Sequence, residues 1–435
     1  MRTRINWKDR TRRSKLLIIL GTMTVTLVVV LLGLNFTMGQ KKVREEIPRL
    51  YALSDPQFER TMGALLGPTI VGGNRTTALM NGDEIFPSML EAIRGARHTI
   101  NFETYIYWSG DIGKQFAEAF AERARAGVKV HVLIDWVGSS KMEQAYLDVM
   151  EQAGVEVRKY HPLRWYNLAR MNNRTHRKLL IVDGRIGFTG GVGIAAQWTG
   201  DAQDPEHWRD SHYRIEGPAV AQMQAVAVDN WIKTTGQVLD GPGYFPELEE
   251  VGNHHAQVFS SSPQGGSESM RLMYLLALTA AQKSVQLSIS YFVPDEMTRQ
   301  VLIDAAKRGV KIQIIVPGEH MDVDIVRRSS RSMWGELLAA GIEIYEYEPT
   351  MFHCKVMIID DLMVSVGSTN FDDRSFRMND EANLNIYNAD FARSQVVVFN
   401  EDLRHAHRIT YEEWKNRPVY EKLKERVAGW LAPLL

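Results

Sequence analysis

Two runs in this chain share the pattern His-x-Lys-x-x-x-x-Asp: His176, Lys178 and Asp183 in one, His353, Lys355 and Asp360 in the other. In an extended strand residues i and i+2 face the same side, so each histidine shares a pocket with its lysine. An imidazole nucleophile then stands beside an ammonium that can clamp an anion. Two such matches at equivalent positions exceed what ordinary composition yields by chance. A glycine-rich turn follows each run, GGVG at Gly190 to Gly193 and GSTN at Gly367 to Asn370. Backbone N–H groups at such turns, here around Gly191 and with the side chains of Ser368 and Asn370, can cradle phosphate oxygens. Each half also carries a later acid, Asp210 and Glu381. A carboxylate bonded to one ring nitrogen fixes the tautomer of a histidine that attacks through the other.

The elements that must hold these residues form a repeat. RHTINFETYIY (Arg97 to Tyr107) reads as a buried strand, followed by a helix from Ile112 to Ala126, the strand VKVHVLID, a helix around Met142 to Gln152, and AGVEVRKY. KSVQLSISYFVP, a helix ending in AAKRG, VKIQIIVP, a further helix and AAGIEIYEY repeat that plan from Lys283 to Tyr347. Gly127, Gly154, Gly309 and Gly341 stand where a helix must stop before a strand, a junction that needs positive φ. The expected fold class is therefore α/β, two pseudo-symmetric domains built on a duplicated mixed sheet flanked by helices. The expected boundaries are a basic tail at 1–15, a transmembrane helix at 16–37, a juxtamembrane linker at 38–77, the first domain at 78–250, a linker at 251–268 and the second domain at 269–435.

Leu16 to Phe36 holds no charged residue and is long enough to cross a hydrocarbon core of roughly 30 Å. It exceeds a signal peptide's apolar region, and no A-x-A-like site precedes Gln40 and Lys41. Arg2, Arg4, Lys8, Arg10, Arg12, Arg13 and Lys15 precede it, against Lys41, Lys42, Arg44, Glu45 and Glu46 after it. The positive-inside bias keeps the amino terminus cytoplasmic and puts the rest outside, a single-pass protein with an extracytoplasmic catalytic domain. The formal net charge of −1 gives no global footprint for nucleic acid. The single cysteine, Cys354, excludes an intramolecular disulfide and reads as a small buried filler.

The paired motifs, the GG and GS turns, WRDSHYRIEGPAV and GSTNFDDRSFRMNDE closely resemble the phospholipase D superfamily and, within it, the bacterial cardiolipin synthases. The resemblance runs from about Ala78 into the 410s. It implies that the two halves face one pocket, that one histidine attacks phosphorus while the other protonates the departing alcohol, that the lysines and turn residues hold the phosphate oxygens, and that no metal or other cofactor is required. His176 is then the favoured nucleophile and His353 the acid and base, with the reverse order left open by the pseudo-symmetry. The implied partners are anionic phospholipids such as phosphatidylglycerol and a bacterial inner membrane, not nucleic acid. Hydrolysis by water, of a phospholipid or, as the lesser alternative, of nucleic acid, stands beside transfer to an alcohol, since both use the same residues, and a non-enzymatic membrane protein is the third reading. One departure stands out: Gly193 takes the place of the family's asparagine, so that either a backbone N–H or a neighbour such as Gln197 substitutes for the missing donor, or the site is altered or slower. Other residues read more simply: His254 and His255 as linker, Trp165 and Trp198 as core or lipid-path residues, and His320 with Asp322 and Asp324 as a loop without metal.

Overall fold

The computed structural model describes residues 7–34, 43, 47–162, 172–263, 268–430 and 432. Runs rich in Val, Ile and Leu bounded by glycine or polar turns become its strands. In the first half these are β1 (Val71–Met80), β2 (Thr99–Thr104), β3 (Lys129–Asp135), β4 (Glu156–Tyr160), β5 (Arg174–Thr175), β6 (Leu179–Val182), β7 (Ile186–Gly190) and β8 (Ser211–Glu216). In the second they are β9 (His254–Ser261), β10 (Ser284–Ile289), β11 (Lys311–Pro317), β12 (Glu343–Tyr347), β13 (Lys355–Ile359), β14 (Met363–Gly367), β15 (Asn379–Tyr387) and β16 (Ala406–Ile409).

Their order across the sheet is β16-β12-β11-β10-β13-β14-β15-β9-β1-β8-β7-β6-β2-β3-β4, with β5 pairing β15 off this path. Read outward from the β9–β1 junction, the two arms have the same order, with β16 added at one edge. Within each arm the three strands joined through helices are parallel, β2-β3-β4 and β10-β11-β12, and the hairpin strands are antiparallel. This is the mixed α/β architecture that the sequence predicts. The four junction glycines have φ between 87 and 94°, the left-handed stop such a turn needs.

The β1–β9 ladder is short and its register shifts between Val71 and Asn74. What joins the arms is a shared apolar layer, in which Leu179, Ile181 and Ile215 of the first pack with Val356, Ile358 and Val364 of the second. Each fully buried aliphatic side chain contributes ~1.5–3 kcal/mol, so this layer outweighs the few hydrogen bonds of the ladder.

Three expectations need correction. Residues 251–268 are not simply a linker, because β9 lies within them and pairs with both β15 and β1. His254 and His255 are therefore strand residues: the ring of His254 accepts from the Thr76 N–H at 3.3 Å, and His255 faces Glu59 at 3.3 Å. Residues 38–77 likewise contain the helix Pro56–Leu66, capped by Asp55, and the start of β1. Short polar or glycine-rich stretches such as β9 carry little periodicity of their own and become ordered by pairing, whereas the helix Pro56–Leu66 is fixed by its Asp55 cap and by Phe58 and Met62 packing into the core of the second half. At the amino terminus a helix runs from Trp7 to Leu34, and its stretch Ser14–Leu34 is apolar and long enough to cross a membrane. Trp165, Arg2, Arg4, Lys41, Lys42, Arg44, Glu45 and Glu46 lie outside the described residues.

Candidate active site

His176 and His353 each precede a central hairpin strand, and both line one cavity of about 290 Å³. Lys178, Asn370, Tyr105, Arg174, Trp208, Tyr291, Asp372, Arg374 and Asn379 complete most of its wall. The volume is at the lower edge of small-ligand pockets, roughly 300–1,000 Å³, and suits a headgroup and not an acyl chain.

The two acids cross between the halves. Glu381 takes His176 Nδ1 at 3.0 and 3.1 Å, and Asp210 takes His353 Nδ1 at 2.7 Å. The main chain follows the same crossing: His176 N–H donates to the Asp380 carbonyl at 2.9 Å, and His353 N–H to the Arg209 carbonyl at 2.8 Å. The crossing follows from parallel pairing of β5 with β15 and of Arg209 with Phe352, which carries each acid to the other half's histidine. With Nδ1 held as the donor, Nε2 is the nitrogen left to meet a substrate.

Both carboxylates are fully buried. Burial alone would raise them, but His176 and then Lys178 hold Glu381 low, and His353 with Lys355 hold Asp210 low. Burial lowers the imidazoles: His176 goes down to about 4 against the pull of Glu381, and His353 is lowered by burial together with the Lys355 charge. Burial also brings the Lys178 ammonium down to about 7, and lowers that of Lys355. Both rings are therefore neutral near pH 7, the state in which an imidazole can attack.

The two lysines are placed differently. Lys178 Nζ donates to the His176 carbonyl at 2.9 Å and sits 5.8 Å from the centre of the Tyr105 ring. Lys355 Nζ donates to the His353 carbonyl and to Ser290 Oγ, both at 2.7 Å, and lies 3.2 Å from His353 Nε2 and 3.3 Å from its Nδ1. The equivalent main-chain bonds of Ile194 and Phe371 align Gly193 with Asn370, and the matching strand registers align Tyr105 with Ser290. The second half thus presents Ser290, whose hydroxyl donates to Asn370 Oδ1 at 2.7 Å, where the first presents a tyrosine ring and a glycine. A Cβ at Gly193 would lie 2.9 Å from Ile106 Cβ and 3.2 Å from the Trp198 ring. The missing donor is therefore tied to local packing. Gln197 does not line the cavity; its carbonyl accepts from the Trp208 N–H.

Several predicted site residues act elsewhere. Asp183 and Asp360 are not in the cavity. Their carboxylates accept the N–H groups of Arg97, His98 and Thr99, and of Gln282, Lys283 and Ser284, at the far ends of β2 and β10. Both sit at positive φ, 53 and 54°, tying the hairpin to the neighbouring strand. Gly191 does not cradle phosphate, since its N–H is bonded to the Ser211 carbonyl; a Cβ there would lie 2.2 Å from Asp210 Oδ1, so the glycine makes room for the acid. Ser368 donates to Glu381 at 2.5 Å and serves the acid in the same way. Of the three turn residues, Asn370 alone lines the cavity. Trp198 combines both readings: buried, its Nε1 donates to Asp210 at 2.9 Å, and its ring stands edge-on to His353 at 5.3 Å while lining the cavity. Asp322 accepts from the Tyr291 hydroxyl at 2.7 Å, and His320 is exposed. Cys354 is buried, with its thiol pushed up to about 12 by burial.

Tyr105, Tyr291, Trp208, Asp372 and Arg374 are not singled out as site residues by the sequence, although Trp208 opens WRDSHYRIEGPAV and Asp372 and Arg374 lie within GSTNFDDRSFRMNDE. Position is the signal that could have found two of them: Tyr105 and Tyr291 follow the carboxyl ends of the central strands β2 and β10, where α/β sheets open their clefts.

The sequence matches the family described as cardiolipin synthase, PLD-like domain, over residues 89–222 and again over 274–403, one match in each half. A cardiolipin synthase of Geobacillus kaustophilus is 37% identical over 365 residues, 83% of this chain and 72% of that protein. That of Alkalihalophilus pseudofirmus is 32% identical over 400 residues, covering 91% of this chain and 79% of its own length. Among solved structures, a phosphatidylserine synthase of Haemophilus influenzae shares the fold with a TM-score of 0.63 at 13% identity, over 87% of this chain and 97% of that one. With crossed histidines in one cavity and both halves matched, the chain belongs to the cardiolipin synthase family of phospholipase D-like proteins, enzymes that modify phospholipids.

Proposed function

We propose that this protein transfers a phosphatidyl group from phosphatidylglycerol to a second phospholipid through a covalent phosphohistidine. The observation that carries the proposal is the pair of neutral, acid-held imidazoles on one headgroup-sized cavity. His176 is the nucleophile. The family likeness favours that assignment; Lys355 Nζ, 3.2 Å from Nε2 and 3.3 Å from Nδ1 of His353, lies beside that ring and not on the axis of either nitrogen. His176 Nε2 attacks phosphorus as the P–O bond to glycerol breaks, and His353, which has first taken a proton from solvent on Nε2 to become the imidazolium held by Asp210, gives that proton to the departing alkoxide. His353 then accepts the proton of the incoming hydroxyl as that oxygen displaces histidine from phosphorus. Splitting the displacement in two lowers each barrier, and Lys178 with Asn370, which line the cavity, hold the phosphoryl oxygens.

The two halves are copies of one unit in this reading, and Ser14–Leu34 is a membrane anchor that leaves the catalytic part on the outer face of a bacterial inner membrane. Transfer and hydrolysis differ in whether an alcohol or water attacks the intermediate. Incubating the purified chain with labelled phosphatidylglycerol in micelles separates them, with His176→Ala/His353→Ala as control. Cardiolipin plus glycerol supports transfer, phosphatidic acid alone makes the protein a hydrolase, and no lipid turnover overturns both.

A further inference from the structure

The last helix, Val419–Trp430, packs against the helix Asp324–Ser332 by one side only. Ala428 and Glu425 are buried there, Glu425 accepts from Arg331 at 3.1 Å and from Arg417 at 2.6 Å, and Gly429 lies against Ser332. The opposite side is apolar and bare. Val419 is 81% exposed, Leu423 63% and Trp430 76%, with Tyr420 and Val427 also open to solvent. At 3.6 residues per turn these five side chains fall within an arc of about 100°. Lys422 and Arg426 border that arc on one side and Lys424 on the other.

We propose that this face lies in a lipid surface bearing anionic headgroups, giving the enzyme a second membrane contact beside its cavity. A bare apolar arc ended by tyrosine and tryptophan and edged with basic residues is what an interfacial helix requires. The basic edges complement anionic lipid, and the buried Glu425 spends its charge inward on two arginines. A bilayer is also within reach. Eight residues separate the end of the apolar helix at Leu34 from Val43, a span of nine Cα steps and at most ~32 Å. Val43 is tied down by Glu268 at 2.6 Å and Arg271 at 3.1 Å. Glu268 in turn holds Arg377 at 3.2 Å, in the short helix Asp373–Arg377 whose Arg374 and Ser375 line the cavity. The last helix reaches the same cavity by another wall, since Val326 of its supporting helix lines it and Ala432 packs on Val326. The tether and the last helix thus both lead to residues that line the cavity.

The test uses the full chain in bilayer nanodiscs containing phosphatidylglycerol, with a fluorophore on Leu423→Cys and, as reference, on Val397→Cys, which is 70% exposed on the helix Ala389–Arg404. Cys354 is buried and its thiol is pushed up to about 12, so the label goes to the introduced cysteine. Nitroxide-bearing lipids should quench the Leu423 label about threefold more than the Val397 label, and aqueous iodide correspondingly less. Equal iodide quenching at the two sites overturns the proposal. So does a Leu423 label shielded from iodide but untouched by lipid nitroxide, the result if a second copy covers the face. Neither readout depends on turnover, so the proposed reaction can fail without deciding this one.

Discussion

Replacing Glu381 by glutamine should disable chemistry at His176, a residue of the other half. Glu381 is fully buried, and its oxygens take His176 Nδ1 at 3.0 and 3.1 Å, Ser368 at 2.5 Å and Asn379 at 3.3 Å. Glutamine fills the same volume and keeps one acceptor, so the fold should persist. What disappears is the charge opposite an imidazole that becomes cationic as phosphorus is attacked. At an effective dielectric of about 20, unit charges at 3.0 Å interact by ~5.5 kcal/mol, equivalent to ~10⁴ in rate if the charge develops fully. Partial charge development and the remaining amide dipole bring the expected loss in kcat/KM to about 10³-fold. The assay is turnover of labelled phosphatidylglycerol, with acid-quenched single turnovers to trap the phosphoenzyme. Asp210→Asn supplies the contrast, because Asp210 serves His353, whose proton the leaving group needs. A substrate with a nitrophenolate leaving group needs no such proton. It should restore phosphoenzyme formation in Asp210→Asn and leave Glu381→Gln inactive. Rescue of Glu381→Gln instead, or a loss below tenfold in folded protein, would refute the crossed assignment.

The pH profile of kcat/KM reports the free enzyme, and both limbs follow from burial. His176 must be neutral to attack, so activity should fall as pH drops through about 4; Lys178 must be charged to hold phosphate, so it should fall as pH rises through about 7. Gly193→Asn should not strengthen the site: its Cβ would press on Ile106 and the Trp198 ring, which should destabilise the protein by about 1–3 kcal/mol in denaturant melts while kcat does not rise. Asp183→Ala and Asp360→Ala each strand three backbone N–H groups and put alanine at positive φ, so each should lower unfolding free energy by about 2–4 kcal/mol while the folded fraction keeps its kcat. A large kcat loss with unchanged stability would return those acids to catalysis.

The sequence by itself determined the duplicated α/β plan, the membrane-length apolar helix, the two His-Lys pairs and the identity of the two acids. These properties are local: strand alternation puts His176 with Lys178 and His353 with Lys355, and uninterrupted apolar length is visible without a fold. The tertiary structure decided which acid serves which histidine, because β5 pairs with β15 from the opposite arm and no local pattern records that partner. It moved Asp183 and Asp360 from chemistry to strand anchoring, and Gly191 and Ser368 from phosphate to the support of Asp210 and Glu381. It also turned a polar connection into the central strand β9 and gathered Tyr105, Trp208 and Arg374 around the cavity. In each case the deciding contact joins residues distant in the chain. Residue type and spacing therefore announce what chemistry is present, while packing between the two arms settles which atoms perform it.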